Sequence, residues 1–251
     1  MRPFILTLIF LLSPGLGWAA YPYDSVCEIT APTRDLTKNS GGSATLVAVS
    51  PDKALLLTCQ HVVLFKDNTV QVTWTATGEQ SEGVVVAVGA DGLDVALVVC
   101  PRPKDIRPVP MARPYLTMSG RITNVGYAGH RGILEWQTGK LNSIGYSSIK
   151  YSCRPVPGMS GGATFDQYGN LIGVIISYSR YGGRSTSGVA FLKFLRGYDA
   201  KEDWKAAIPA FKDPIPGGQE EHEISAPKDW AEYRMFLFIF YDIPLEEGEC
   251  L

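Results

Sequence analysis

From residue 43 onward the chain falls into short apolar and β-branched runs divided by Gly, Pro, Asn and Asp. The runs are 43–49, 54–58, 69–75, 83–88, 95–99, 121–127, 134–141, 149–153, 171–177 and 188–191. Val, Ile, Thr and aromatic side chains pack well on a pleated surface, so each run predicts a strand. Many short strands at regular spacing predict barrels or a sandwich. The Pro-rich stretch 101–114 reads as a linker between two such units. Residues 191–196, Phe-Leu-Lys-Phe-Leu-Arg, could begin a short helix.

The ends have a different texture. Residues 1–20 read as a secretory signal peptide: Arg2, an apolar run over 4–12, breakers at Pro14, Gly15 and Gly17, and small residues at Ala19 and Ala20. That run is too short to span a bilayer, so a secreted or periplasmic chain with no stable membrane span is expected. Residues 21–37 read as a short irregular lead with Pro22 and Pro32. Residues 199–251 form a C-terminal extension, acidic and Pro/Gly-punctuated through Glu223, then aromatic over 230–241. Its flanking acids make packing on the body or on a protein partner the expectation.

Composition narrows the function. A chain of 251 residues, 45% hydrophobic and 19% charged, can bury one core or two fused small ones. A formal net charge of −2 without a basic aromatic stripe argues against nucleic-acid binding. Three scattered histidines, 61, 130 and 222, give no metal-ligand spacing, so neither a metal nor another cofactor is expected. The five cysteines, 27, 59, 100, 153 and 250, permit at most two internal disulfides, and an oxidising compartment predicts at least one. Cys59, inside an apolar run, reads as a small buried hydrophobe.

The chemistry lies in three segments. Thr58-Cys59-Gln60-His61-Val62 supplies a histidine after an apolar strand. Asp91-Gly92-Leu93-Asp94-Val95 supplies an aspartate at the start of the next buried run, with Asp94 favoured over the turn residue Asp91. Gly158-Met159-Ser160-Gly161-Gly162 supplies a serine in a glycine-rich turn. A base, a carboxylate that fixes the base's tautomer, and backbone amides facing a developing oxyanion turn a serine hydroxyl into a nucleophile. The order His, Asp, Ser matches chymotrypsin rather than subtilisin or the α/β-hydrolases.

On these motifs the chain resembles a trypsin-like serine endopeptidase, closer to the HtrA-type and bacterial branch than to the digestive enzymes. The Gly41–Val47 stretch is similar to the family's opening strand, and Gly188-Val189-Ala190-Phe191 to its late pocket-lining strand. The resemblance implies two packed six-stranded antiparallel β-barrels, about 38–100 and 115–198, within a protease domain over 21–198. It implies a triad of His61, Asp94 and Ser160, an oxyanion hole from the amides of Gly158 and Ser160, and a peptide or protein substrate. Arg154, Val174, Ile175, Ile176 and Ser177 would wall the specificity pocket, with Arg154 favouring acidic side chains. Met159 stands where the zymogen-activated branch has an aspartate, and no Ile-Val-Gly-Gly start is present, so that activation switch is missing. Two other functions share the residues: an inactive protease-like binding module, and an esterase-type serine hydrolase.

Overall fold

Twelve strands, two α-helices and a short 3₁₀ turn at Tyr23–Ser25 make up the computed structural model, which describes residues 23–32, 39–90, 92–111, 120–129 and 132–199. The first six strands are β1 (Val26–Pro32), β2 (Asn39–Val49), β3 (Lys53–Thr58), β4 (Thr69–Trp74), β5 (Glu79–Val88) and β6 (Ala96–Pro101). They close antiparallel in the order β1-β2-β3-β6-β5-β4, with β4 returning to β1. The other six are β7 (Arg121–Ala128), β8 (Ile133–Ile144), β9 (Ser148–Tyr151), β10 (Ala163–Phe165), β11 (Leu171–Ser179) and β12 (Gly182–Ser187). They close in the order β10-β11-β12-β9-β8-β7, with β7 returning to β10. Closure leaves no open sheet edge, which is how a short-stranded antiparallel protein avoids pairing with its neighbours. The expected double barrel is present.

Burial follows sequence. Ile29, Leu46, Leu55, Leu56, Leu57, Val72 and Leu97 are fully buried in the first barrel. Ile122, Ile149, Tyr151 and Ile172 cluster in the second. A chain of hydroxyl and amide groups also crosses the second core. Thr164 Oγ1 donates to Asn124 Oδ1 at 2.8 Å and lies 2.7 Å from Ser185 Oγ, which lies 2.9 Å from Tyr151 Oη. Strands β7, β9, β10 and β12 are thereby tied through side chains as well as backbone. Buried polar groups are tolerated only when partnered in this way.

Two expectations are corrected, and two features went unread in the sequence. The irregular lead contains β1, so the first barrel begins at Val26; its run Val-Cys-Glu-Ile-Thr-Ala-Pro is short and ends on a proline. Strand β12, Gly-Gly-Arg-Ser-Thr-Ser, has no apolar residue to announce it, yet all its residues but Arg184 are buried. Residues 188–191 are not a strand. They open α2 (Gly188–Asp199), because a four-residue apolar run fits either period. The linker after β6 also straps the two barrels together. Val109 donates to Leu46 of β2 at 3.0 Å, and Leu171 of β11 donates to Pro110 at 2.7 Å.

The expected disulfide does not occur among the described residues: Cys27, Cys59, Cys100 and Cys153 are free thiols. Residues 1–20, His130, His222, Cys250, Asp91 and residues 200–251 lie outside the described residues. No described helix is long and apolar enough to cross a membrane.

Candidate active site

His61 sits on α1 (Gln60–Val63), a single turn that follows β3. The N-cap residue of this turn, Cys59, makes no side-chain cap bond. Asp94 supplies the missing acceptor from across the sheet. Its Oδ1 accepts the His61 amide at 3.0 Å, and the Gln60 amide also donates to it. Its Oδ2 lies 2.6 Å from His61 Nδ1. Register explains the meeting. Thr58 at the end of β3 pairs with Ala96 at the start of β6, so the residues just beyond each strand share one rim of the barrel. Burial pushes the Asp94 carboxyl up, and the His61 ring and amide with the Gln60 amide more than offset it, leaving it below the usual range. The His61 side chain is 48% exposed and that of Asp94 23%, so the ring faces the cleft and the carboxylate stands behind it.

Ser160 lies in the turn before β10. Gly158 and Gly161 have φ of +95° and +86°, conformations open to glycine and costly for other residues. A Cβ on Gly158 would meet the Tyr127 carbonyl at 2.5 Å, and one on Gly161 would strike the Ser43 carbonyl. Three amides of the turn are engaged: Met159 donates to Val156 at 3.1 Å, Gly161 to Ile175 at 2.8 Å, and Gly162 to Met159 at 2.9 Å. Among the described residues, the amides of Gly158 and Ser160 make no such bond. Two unpaired amides two residues apart in a glycine turn are the donor pair that an oxyanion hole requires. Met159 is fully buried, and its Sδ accepts the Val156 amide at 3.4 Å, so the turn carries no carboxylate at this position.

The barrels meet through Ser43. Its hydroxyl donates to the Gly158 carbonyl at 2.9 Å and accepts the Tyr127 amide at 2.8 Å. Its amide donates to the Ser160 carbonyl at 2.7 Å, and its carbonyl accepts Thr58 Oγ1 at 2.7 Å. Ser43 thus touches the serine turn, the second barrel and the strand that leads to His61. Sequence reading placed Ser43 only within an opening strand. A serine directly after two glycines at the head of an apolar run was the available signal.

Cys59 makes a second link. Its thiol donates to Ile175 at 3.0 Å, the same carbonyl that receives the Gly161 amide. A residue two before His61 and a residue one after Ser160 therefore converge on one oxygen. Burial pushes the Cys59 thiol well above its usual range, with the Asp94 charge adding to the effect, so it stays protonated. Ligand-type atoms of Cys59, His61 and Asp94 lie within 4.8 Å of one another, a grouping that histidine spacing alone did not reveal. Each is engaged already, the ring nitrogen with the carboxylate and the thiol with Ile175.

The Ser160 hydroxyl donates to the Ile176 carbonyl at 3.2 Å, and no hydrogen bond joins it to His61. A bulge in the β11–β12 ladder between Ile175 and Ser177 frees that carbonyl. Beside it opens a cavity of about 200 Å³ lined by residues 155–157, Ser160 and residues 175–178. Three of the expected pocket residues, Ile175, Ile176 and Ser177, line it. Val174 is fully buried in the barrel, paired with Ala163 and Thr186, and does not. Arg154 does not line it either. It is exposed, with its guanidinium 5.8 Å from the centre of the Tyr178 ring, because the chain turns inward only at the buried Pro155. A larger open depression lined by Pro51, Asp52 and residues 101–105 lies at the far end of β3 and holds none of these residues.

No curated protein matches the chain. A family model for the trypsin-like peptidase domain matches residues 42–174, just over half of the chain and the span that holds His61, Asp94 and Ser160. With that match and two closed six-stranded barrels around the site, the chain belongs to the trypsin-like peptidase family.

Proposed function

We propose that this protein is a secreted or periplasmic serine endopeptidase. Ser160 is the nucleophile, His61 the general base and Asp94 the group that orients it. The observation that carries this reading is the pair of unpaired Gly158 and Ser160 amides in one turn with Ser160, across the cleft from the His61–Asp94 hydrogen bond.

The chemistry follows in order. Asp94 holds the Nδ1 proton of His61, leaving Nε2 as the acceptor. Ser160 Oγ turns from the Ile176 carbonyl, gives its proton to Nε2 and attacks the peptide carbonyl. Apo hydrogen bonds of this kind often form only once substrate is bound. The oxyanion enters the space before the Gly158 and Ser160 amides. His61 then protonates the leaving amine, and water repeats the sequence on the acyl-enzyme. The cavity beside Ser160 has no charged lining residue, which supports an uncharged side chain before the scissile bond.

An aryl phosphonate should label wild-type protein on Ser160 and leave Ser160→Ala unlabelled, read by mass spectrometry. On an apolar peptide library, Ser160→Ala should fold normally and lose several orders of magnitude of kcat, retaining about 10³-fold over water. Equal turnover by both proteins overturns the assignment. The non-cutting binding module draws on the Ser160–Ile176 bond, and it prevails if wild type binds these peptides, takes no label and leaves them whole.

A further inference from the structure

The outer face of the second barrel carries cations in an unusual arrangement. Arg121 on β7 lies directly opposite Lys140 on β8, and Lys150 on β9 directly opposite Arg184 on β12. All four are exposed, and none makes an ion pair among the described residues. Like charges facing each other across a ladder repel. Among the described residues of the six strands no carboxylate on that face relieves them. Glu135, the one acid on the six strands, is five residues from Lys140 and so on the opposite face of β8. Asp166 is buried and accepts the amides of Tyr168 and Asn170.

This face is continuous with the cleft. Arg184 pairs with Ser177, which lines the cavity at Ser160. Arg154, over Tyr178, stands at the same rim. Lys140 accepts the Ser152 amide on its carbonyl at 2.9 Å, which sets it two residues beyond Lys150 and makes the stripe diagonal. From β11 through β12 to β9 the path crosses two strand spacings, about 10 Å, and Arg121 and Lys140 lie further round the closed barrel. An extended peptide covers that distance in about three residues.

We infer that the Lys150–Arg184 side of this barrel is an exosite for an acidic segment of the polypeptide substrate, a segment of about three residues running outward from the cleft. The inference rests on the peptidase reading above for what occupies the cleft. It assigns acidic selectivity to the barrel wall, while the cavity itself takes an uncharged side chain. Cations that make no ion pair among the described residues, gathered beside the cleft, attract acidic segments to that side of the barrel.

The test uses two fluorescent peptides with one apolar cleavable core, extended by about three Asp/Glu or about three Ser/Gly residues. Binding to the full chain carrying Ser160→Ala is followed by anisotropy. The acidic peptide should bind at least about 10-fold tighter at low salt, and the gap should shrink to about 2-fold near 0.5 M NaCl. Lys150→Glu/Arg184→Glu should abolish the preference and keep the affinity for the neutral peptide. Lys150→Gln/Arg184→Gln should give an intermediate gap, which separates lost charge from lost fold. Equal binding of the two peptides, or a preference that survives charge reversal, overturns the exosite. So does a sulfated polysaccharide or duplex DNA of equal charge binding more tightly than the acidic peptide. Wild-type cleavage of the neutral peptide is scored separately. If it fails, the peptidase reading falls while the binding arm still decides the exosite.

Discussion

At the scale of single residues, Asp94 does two jobs with one carboxylate. It caps a one-turn helix and fixes the ring that the turn presents. Its carboxyl titrates below the usual range when folded, so its stabilisation is present above the unfolded value of about 3.9 and fades as pH falls through the folded value. The stability gap between wild type and Asp94→Asn should therefore be present at about pH 5 and close below about pH 4, measured by denaturant titration. In kinetics the same variant should lose of order 10⁴ in kcat, because an amide permits the wrong tautomer. Ser43 is the second such residue. Ser43→Ala leaves the Tyr127 amide and the Gly158 carbonyl without their partner, at about 1–3 kcal/mol. The Gly158 amide should also lose its fixed aim. We expect kcat to fall about 10- to 100-fold with KM little changed, and affinity for a peptide aldehyde, whose adduct carries the oxyanion, to fall in step. A variant that loses stability but keeps both kcat and aldehyde affinity would make Ser43 a staple only.

At the scale of elements, strength does not track length. Strand β10 has three residues, yet it sits between β7 and β11 and carries Thr164 into the buried polar chain. Thr164→Val keeps the shape and removes the hydroxyl, leaving Asn124 Oδ1 and Ser185 short of a partner. A loss of about 1–3 kcal/mol is expected from chemical denaturation. Double variants with Tyr151→Phe should cost less than the sum of the singles, since both act on Ser185. Strand β12 makes the same point from composition. Gly183 lies under the Tyr151 ring and Pro155, where a Cβ would clash, so small residues are what the packing requires there.

At the scale of the whole molecule, the two barrels are held by bonds at the site itself. Ser43 joins the serine turn and Tyr127, Cys59 joins Ile175, and the strap over residues 109–110 bonds to β2 and β11. Neither barrel can open without exposing these buried partners. Unfolding should therefore be one cooperative transition, with tryptophan fluorescence and far-UV circular dichroism giving coincident midpoints. Two resolved transitions would mean that the barrels are stable apart and that the site is a weak seam. Trp74 is fully buried in the first barrel, and Trp136 on the second stacks on Tyr23 beside the start of β1, with ring centres 5.6 Å apart.

Sequence by itself determined what periodicity and local chemistry encode. Nine of the ten runs are strands, and His61, Asp94 and Ser160 were legible because each sits beside a strand end or a glycine turn with its own signature. What escaped was short, polar or non-local. Strands β10 and β12 have too little apolar pattern, and residues 188–191 fit either period. The place of Arg154 outside the cavity depends on where Pro155 turns the chain. Ser43, the thiol of Cys59 and the cation pairs on the second barrel acquire meaning from partners far along the chain or across a ladder. Local composition selects strands and turns because sterics and burial act within a few residues. Which hydroxyl meets which carbonyl is decided by barrel closure and register, and those exist only in the folded chain.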